Sequence, residues 1–133
     1  MVRRQLSTHQ MESEIGARIM RKTKRRYGCP VEFSIDLLSG KWKTVIMSRL
    51  KLRPMRYGEL REAIPALSDK ILTERLRDLS EAGFVRQERS GGASRYCLTK
   101  RGEMLKPMLQ ALYEWGEDNA ASFDVRFLDA ETN

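Results

Sequence analysis

The chain has 133 residues, enough for one domain with a real core, and its 41% hydrophobic content argues against wholesale disorder. It lacks an apolar run of about 18 residues, which excludes a membrane-spanning helix, and the segment MVRRQLSTHQMESEIG lacks the apolar stretch of a secretory signal, so the cytoplasm is the expected location. The net charge of +7 is uneven: residues 1–28 carry eight Lys/Arg against two Glu and residues 107–133 carry six acids against one Arg, a pattern that suits a polyanionic partner on one surface only.

In chain order, Met11, Ile15 and Ile19 recur every four residues and predict a helix to about Arg26, closed by the cations of RKTKRR. Gly28 breaks it, and Pro30 suits the first turn of a second helix, with Val31, Ile35 and Leu38 on one stripe. KWKTVIMSRLKLRP predicts a third helix that uses Trp42, Val45, Ile46 and Leu50 and ends at Pro54. A short fourth helix in MRYGELREAIPALS turns Leu60 and Ile64 inward. Ser68 is the N-cap of a fifth, SDKILTERLRDLSEAGFV, which runs to about Ala82 with Gly83 just past its end. The period then changes from 3.6 to 2. FVRQER and SRYCLT predict a β-hairpin, turned by Gly91 and Gly92 and carrying Arg86, Arg89 and Arg95 at a basic tip. In SRYCLT, Tyr96 and Leu98 should face the core and Cys97 outward. Thr99 caps a last long helix, with Leu105, Leu109, Leu112 and Trp115 on its stripe and a kink at Pro107.

The fifth helix raises the functional question. At about 100° per residue, Leu72, Leu76 and Leu79 fall within about 60° of arc and form the core stripe. Lys70, Glu74, Arg77 and Glu81 lie opposite with Thr73 on one flank, and Ser68 and Asp69 stand at the N-terminal tip. A short helix, a turn, a capped helix and a β-hairpin make the winged helix-turn-helix order, in which the second helix enters the DNA major groove. Lys, Thr, Glu and Arg are residue types that pair with base edges or phosphates. The bland alternative is an amphipathic helix that faces water.

CPVEFSIDLLSGKWKTVIMSRL and RYGELREAIPALSDKILTERLRDLSEAGFVR resemble the HxlR family of bacterial transcriptional regulators, as does the closing YCLTKRGEMLKPMLQALYEWG. The resemblance covers about Gly28 to Gly116. It implies a mainly α, MarR-like winged helix-turn-helix protein that binds double-stranded DNA at a palindromic operator as a homodimer. It also implies that Cys29 is a candidate sensor of oxidants or electrophiles. Local chemistry points the same way, because Cys29 precedes a helix N-terminus and follows Lys24, Arg25 and Arg26, both of which favour the thiolate. The alternative is a small buried residue at a tight turn. The wing departs from the family pattern, its tip being RSGGAS.

An enzyme lacks its inventory here. The only histidine is His9, and no Cys/His cluster, phosphate loop or nucleophile–base spacing is present, so neither cofactor nor metal is expected. The domain reading is a basic dimerisation arm at 1–27, a winged helix-turn-helix at 28–99, a dimerisation helix at 100–120 and a loose tail at 121–133. Ile15, Ile19, Leu105, Leu109, Leu112 and Trp115 are the expected dimer contacts. Besides the redox-responsive DNA-binding regulator, two readings stay open: a regulator gated by a small ligand at the dimer interface, and a protein-interaction module.

Overall fold

The computed structural model describes residues 26–128. The helix expected from Met11 to about Arg26, with Ile15 and Ile19, lies outside the described residues.

Helix α1 (Pro30–Leu38) opens with proline in its first turn and ends at Ser39. Only its last turn reaches the core. Leu38 is buried, whereas Val31 and Ile35, expected on the same inward stripe, are 68% and 58% exposed. Helix α2 (Lys43–Leu50) buries Ile46, Met47 and Leu50. Trp42, expected inside this helix, instead precedes it in a left-handed conformation with φ of 86°. Such a conformation costs a non-glycine residue about 1–2 kcal/mol. The indole offsets it by packing on the core, with the Lys41 ammonium 4.9 Å from the ring centroid.

Helix α3 (Tyr57–Ala63) and helix α4 (Asp69–Glu81) follow, joined by a turn in which Ile64 and Leu67 are buried. Leu72, Leu76 and Leu79 of α4 are almost fully buried, as the stripe predicts. Burying each such side chain is worth about 1.5–3 kcal/mol, so this face anchors the helix firmly. Helix α4 ends at Ala82, and Gly83 takes the left-handed position after it with φ of 80°.

Strands β1 (Val85–Ser90) and β2 (Ala93–Leu98) form an antiparallel hairpin, with Val85 opposite Leu98 and Ser90 opposite Ala93. Gly91 and Gly92 both have positive φ, 57° and 79°, which a two-residue type I′ loop requires. Met55 and Tyr96 exchange backbone hydrogen bonds of 3.0 and 2.7 Å, fastening the hairpin to the segment before α3. The fold is therefore mainly helical with a two-stranded wing, a winged helix-turn-helix.

The closing segment is two helices rather than one kinked helix: α5 (Lys100–Glu103) and α6 (Lys106–Asn119), followed by a 3-10 turn at Ala120–Phe123. A proline ring excludes the carbonyl four residues back, here that of Glu103, so the chain restarts with Pro107 in the first turn of α6. Thr99 caps α5 by accepting from the Gly102 N–H at 3.1 Å.

At Gly102 the backbone of α5 meets the short link between α4 and β1. A methyl group there would run into the Phe84 carbonyl oxygen and crowd Leu98 Cβ at 3.3 Å. The same carbonyl accepts the Thr99 N–H at 3.0 Å and cannot retreat without losing that bond. Gly102→Ala should therefore lower stability by about 1–3 kcal/mol through overpacking. Gly58→Ala, in a helix with no atom near the new methyl, should be neutral or stabilise by up to about 1 kcal/mol. Urea midpoints at unchanged m-value check both.

Candidate nucleic-acid interface

Ser68 accepts the Ile71 N–H at 3.2 Å and so starts α4. Asp69 follows in the first turn, where its charge suits the positive end of the helix dipole. Two residues of α3 hold that carboxylate. Arg61 Nε lies 2.7 Å from Asp69 Oδ1, and the Tyr57 hydroxyl lies 3.0 Å from the same oxygen. Arg61 also donates to the Leu67 carbonyl at the turn. Ser68 and Asp69, expected on the DNA-facing tip, thus spend their side chains on positioning the helix. Tyr57 and Arg61 were not singled out from the sequence. Their signal is there: in RYGELR they stand four apart, on one face of a helix.

On the opposite side of α4 from its core stripe, Lys70, Thr73 and Arg77 are exposed and Glu74 is half-buried. The four span about 100° of arc. Lys70 and Arg77 make no ion pair among the described residues, so both charges are available to a partner. Arg75, also unforeseen, points elsewhere. Its Nε donates to the Lys41 carbonyl at 2.9 Å and ties α4 to the loop before α2.

The wing arginines do not form one basic tip. In the observed register Arg86 lies opposite Cys97 and Arg95 opposite Glu88, on one face of the hairpin, while Arg89 lies opposite Ser94 on the other. Arg86 is 3.8 Å from Glu88, which offsets part of that face's charge. Arg89 and Arg95 are exposed and unpaired among the described residues.

The two cysteines differ in access. Cys29 is exposed, immediately before α1, with extended backbone. Cys97, expected to face outward, is 6% exposed. It lies on the face opposite Tyr96 and Leu98, as strand alternation demands, but Arg86 and Glu88 cover it, with its Sγ 3.8 Å from the Arg86 carbonyl and 3.8 Å from Glu88 Oε2. Burial pushes the Cys97 thiol up in pKa, Arg86 opposes that and Glu88 adds to it.

Of the residues expected at a dimer contact, Leu109 is buried in the chain's own core and Leu105 packs against it. Leu112 and Trp115 are 55% and 60% exposed. The split follows from geometry, because the first turns of α6 lie against α2 and its second half runs past the core. Among the described residues no helix is long and apolar enough to cross a membrane, and no cluster could hold a metal ion.

A family model for the HxlR-like helix-turn-helix matches residues 37–123. The chain belongs to that family. An HTH-type transcriptional regulator of Methanothermobacter thermautotrophicus is 35% identical over 94 residues, 68% of this chain and 72% of that protein. Among solved structures, the redox regulator HypR in its oxidized form matches with a TM-score of 0.64 at 35% identity, over 68% of this chain and 97% of that one. Quinone-bound YodB from Bacillus subtilis matches with a TM-score of 0.58 at 32% identity, over 68% and 99%. The chain is thus a transcriptional regulator of the helix-turn-helix type, and the family and its relatives are not enzymes.

Glu59 stabilises the start of α3, and with it the clamp on Asp69. Its carboxylate accepts the Arg56 N–H at 2.9 Å and Arg53 Nη1 at 2.8 Å, which lower its pKa from 4.5 to about 2, the backbone bond contributing most. A depressed folded-state pKa stabilises above the unfolded value and loses that contribution as pH falls through the folded one. The destabilisation caused by Glu59→Gln should therefore be full at pH 5 and above and fade between pH 4.5 and about 2. Urea unfolding of both proteins across that window reads it out.

Proposed function

We propose that this chain is a homodimeric, sequence-specific DNA-binding regulator of the cytoplasm that responds to oxidants or electrophiles through Cys29. The observation that carries the DNA reading is the outward face of α4, where Lys70, Thr73 and Arg77 stand clear of solvent barriers and the two cations lack partners among the described residues. Helix α4 lies in the major groove of a palindromic operator, with Lys70, Thr73, Glu74 and Arg77 toward the base edges. Arg89 on one face of the wing, and Arg95 with Arg86 on the other, take phosphates of the two strands that border the wing. Ser68 and Asp69 act at this surface by placing the helix start.

The dimer reading is supported by apolar surface that one copy leaves open: Val31 and Ile35 on α1, Leu112 and Trp115 on α6. Ile15 and Ile19 belong to the same proposed contact, which runs through the arm at 1–27, the adjoining face of α1 and the segment 100–120, and leaves the rest of 28–99 for DNA. A two-fold axis then sets two α4 helices about 34 Å apart on one DNA face.

Cys29 suits a sensor by exposure, and it adjoins α1, whose apolar face belongs to the proposed dimer contact. The solved neighbours include a redox regulator in its oxidized form and a quinone-bound regulator, which favour oxidants and quinone-type electrophiles as the effector class. Modification at Cys29 would shift α1 against its partner, change the spacing of the two α4 helices and alter DNA affinity.

Arg77→Ala and Lys70→Ala should each cost about 1–3 kcal/mol of operator binding where the side chain reads a base, with specificity relaxed at one position. Arg89→Ala should weaken binding evenly across sequences and flatten the salt slope by about one unit. Unchanged affinity in all three, by fluorescence anisotropy at several salt concentrations, contradicts the reading. Cys29→Ser should keep DNA binding and lose its response to diamide or quinone, while Cys97→Ser keeps both. An undiminished oxidant response in Cys29→Ser rules out the sensor.

A further inference from the structure

We propose that Tyr57 is a specificity-determining positioning residue: it accepts a hydrogen bond from the Thr73 hydroxyl and so leaves Thr73 a hydrogen-bond acceptor toward DNA, matched to an A·T pair. This rests on the reading of α4 as the major-groove helix and deepens it.

The Tyr57 hydroxyl has one proton and three oxygens within reach: Asp69 Oδ1 at 3.0 Å, the Asp69 carbonyl at 3.2 Å and Thr73 Oγ1 at 3.3 Å. The carboxylate accepts the hydrogen bond. It is the nearest acceptor, and a hydrogen bond to an ionised group is roughly twice as strong as one between neutral groups. The carbonyl also belongs to the helix ladder, with the N–H four residues on as its partner. With its O–H directed at Asp69, the phenolic oxygen has only lone pairs to offer Thr73, so the Thr73 hydroxyl donates to it. Thr73 does not turn back on its own helix as Ser34 does, whose hydroxyl donates to the Pro30 carbonyl at 3.0 Å. Tyr57 is its one side-chain partner among the described residues.

A free threonine hydroxyl rotates to donate or accept as its partner requires. One whose O–H is directed at Tyr57 can only accept from a further partner. Thr73 is exposed on α4, so its lone pairs and γ-methyl are what it presents outward. In the major groove the donors are adenine N6 and cytosine N4, and the one methyl belongs to thymine. An A·T pair supplies both a donor and a methyl. Over the purine, adenine offers its N6–H donor beside N7, whereas guanine offers only the acceptors O6 and N7 to the same lone pairs. Tyr57 lies behind the helix and touches no base in this arrangement. It acts through Thr73.

The test is a double-mutant cycle read on operator variants in which each base pair is changed in turn, with salt slopes recorded. The wild-type protein should show a symmetric pair of positions at which A·T is preferred by about tenfold, the lower part of the range for one base-edge contact. Tyr57→Phe keeps the Arg61–Asp69 pair and hence the junction. It should cut that preference to below about threefold, admit G·C there because the Thr73 O–H is free to turn outward and donate to guanine O6 or N7, and leave other positions and the salt slope unchanged. Thr73→Val, which keeps the methyl and needs nothing from Tyr57, should lower the preference at the same positions. Adding Tyr57→Phe to it should change nothing further. Equal weakening of all sequences by Tyr57→Phe, or a preference that Thr73→Val removes and Tyr57→Phe does not, overturns the inference while leaving α4 in the groove. A wild-type protein without sequence preference overturns the groove reading itself, and this one with it.

Discussion

The junction on Asp69 is the constraint from which the rest of the proposed DNA-binding surface follows. One carboxylate at the first turn of α4 receives Arg61 and Tyr57 of α3, and the Arg61 guanidinium also reaches the Leu67 carbonyl in the turn between the two helices. Its energetic contribution is small. Asp69 is 73% exposed, and solvent-exposed ion pairs are worth about 0.2–1 kcal/mol. The core stripe of α4, with three leucines almost fully buried, contributes several times as much. Burial holds α4 in place, but the attraction behind it is non-directional. The hydrogen bonds supply direction, fixing where the helix begins and which side chains look outward.

The same division between energy and direction recurs at the wing. Val85 and Leu98 secure its base in the core, while the Met55–Tyr96 backbone pair sets the angle at which the hairpin leaves the domain. The Gln87 amide donates to the Tyr96 hydroxyl at 3.0 Å and to Ser94 Oγ at 3.3 Å, which stiffens the face that carries Arg89. Burial of the Tyr96 phenol, with Tyr57 nearby, raises its pKa. A wing held in this way presents its arginines on two faces, so a single DNA backbone can meet only one of them squarely.

Much of this was legible in the sequence because it depends on local rules. The Ser68 cap, the leucine stripe, Gly83, the Gly91–Gly92 turn and the Thr99 cap follow from periodicity and from residues that only certain backbone conformations tolerate. The misses concern burial and partners. Strand alternation places Cys97 correctly on the face away from Leu98, yet it cannot tell that Arg86 and Glu88 fold over it. The stripe Leu105, Leu109, Leu112 and Trp115 is real, but the break before Pro107 and the depth of the core decide that Leu109 is buried and Trp115 is not. Tyr57 and Arg61 look like ordinary surface residues of a short helix until α4 is laid across them. Trp42 in a left-handed conformation has no sequence signal, since tryptophan gains nothing from it locally and is held there by the core alone.

Dimethyl sulfate footprinting of the operator tests most directly whether α4 faces the major groove in a two-fold complex, because the reagent reports guanine N7 in that groove. The account predicts protected guanines in two patches, with centres about one helical turn, 34 Å, apart on one face of the duplex. Protection of a single patch, or binding that leaves every guanine N7 reactive across a G-containing operator, would contradict it.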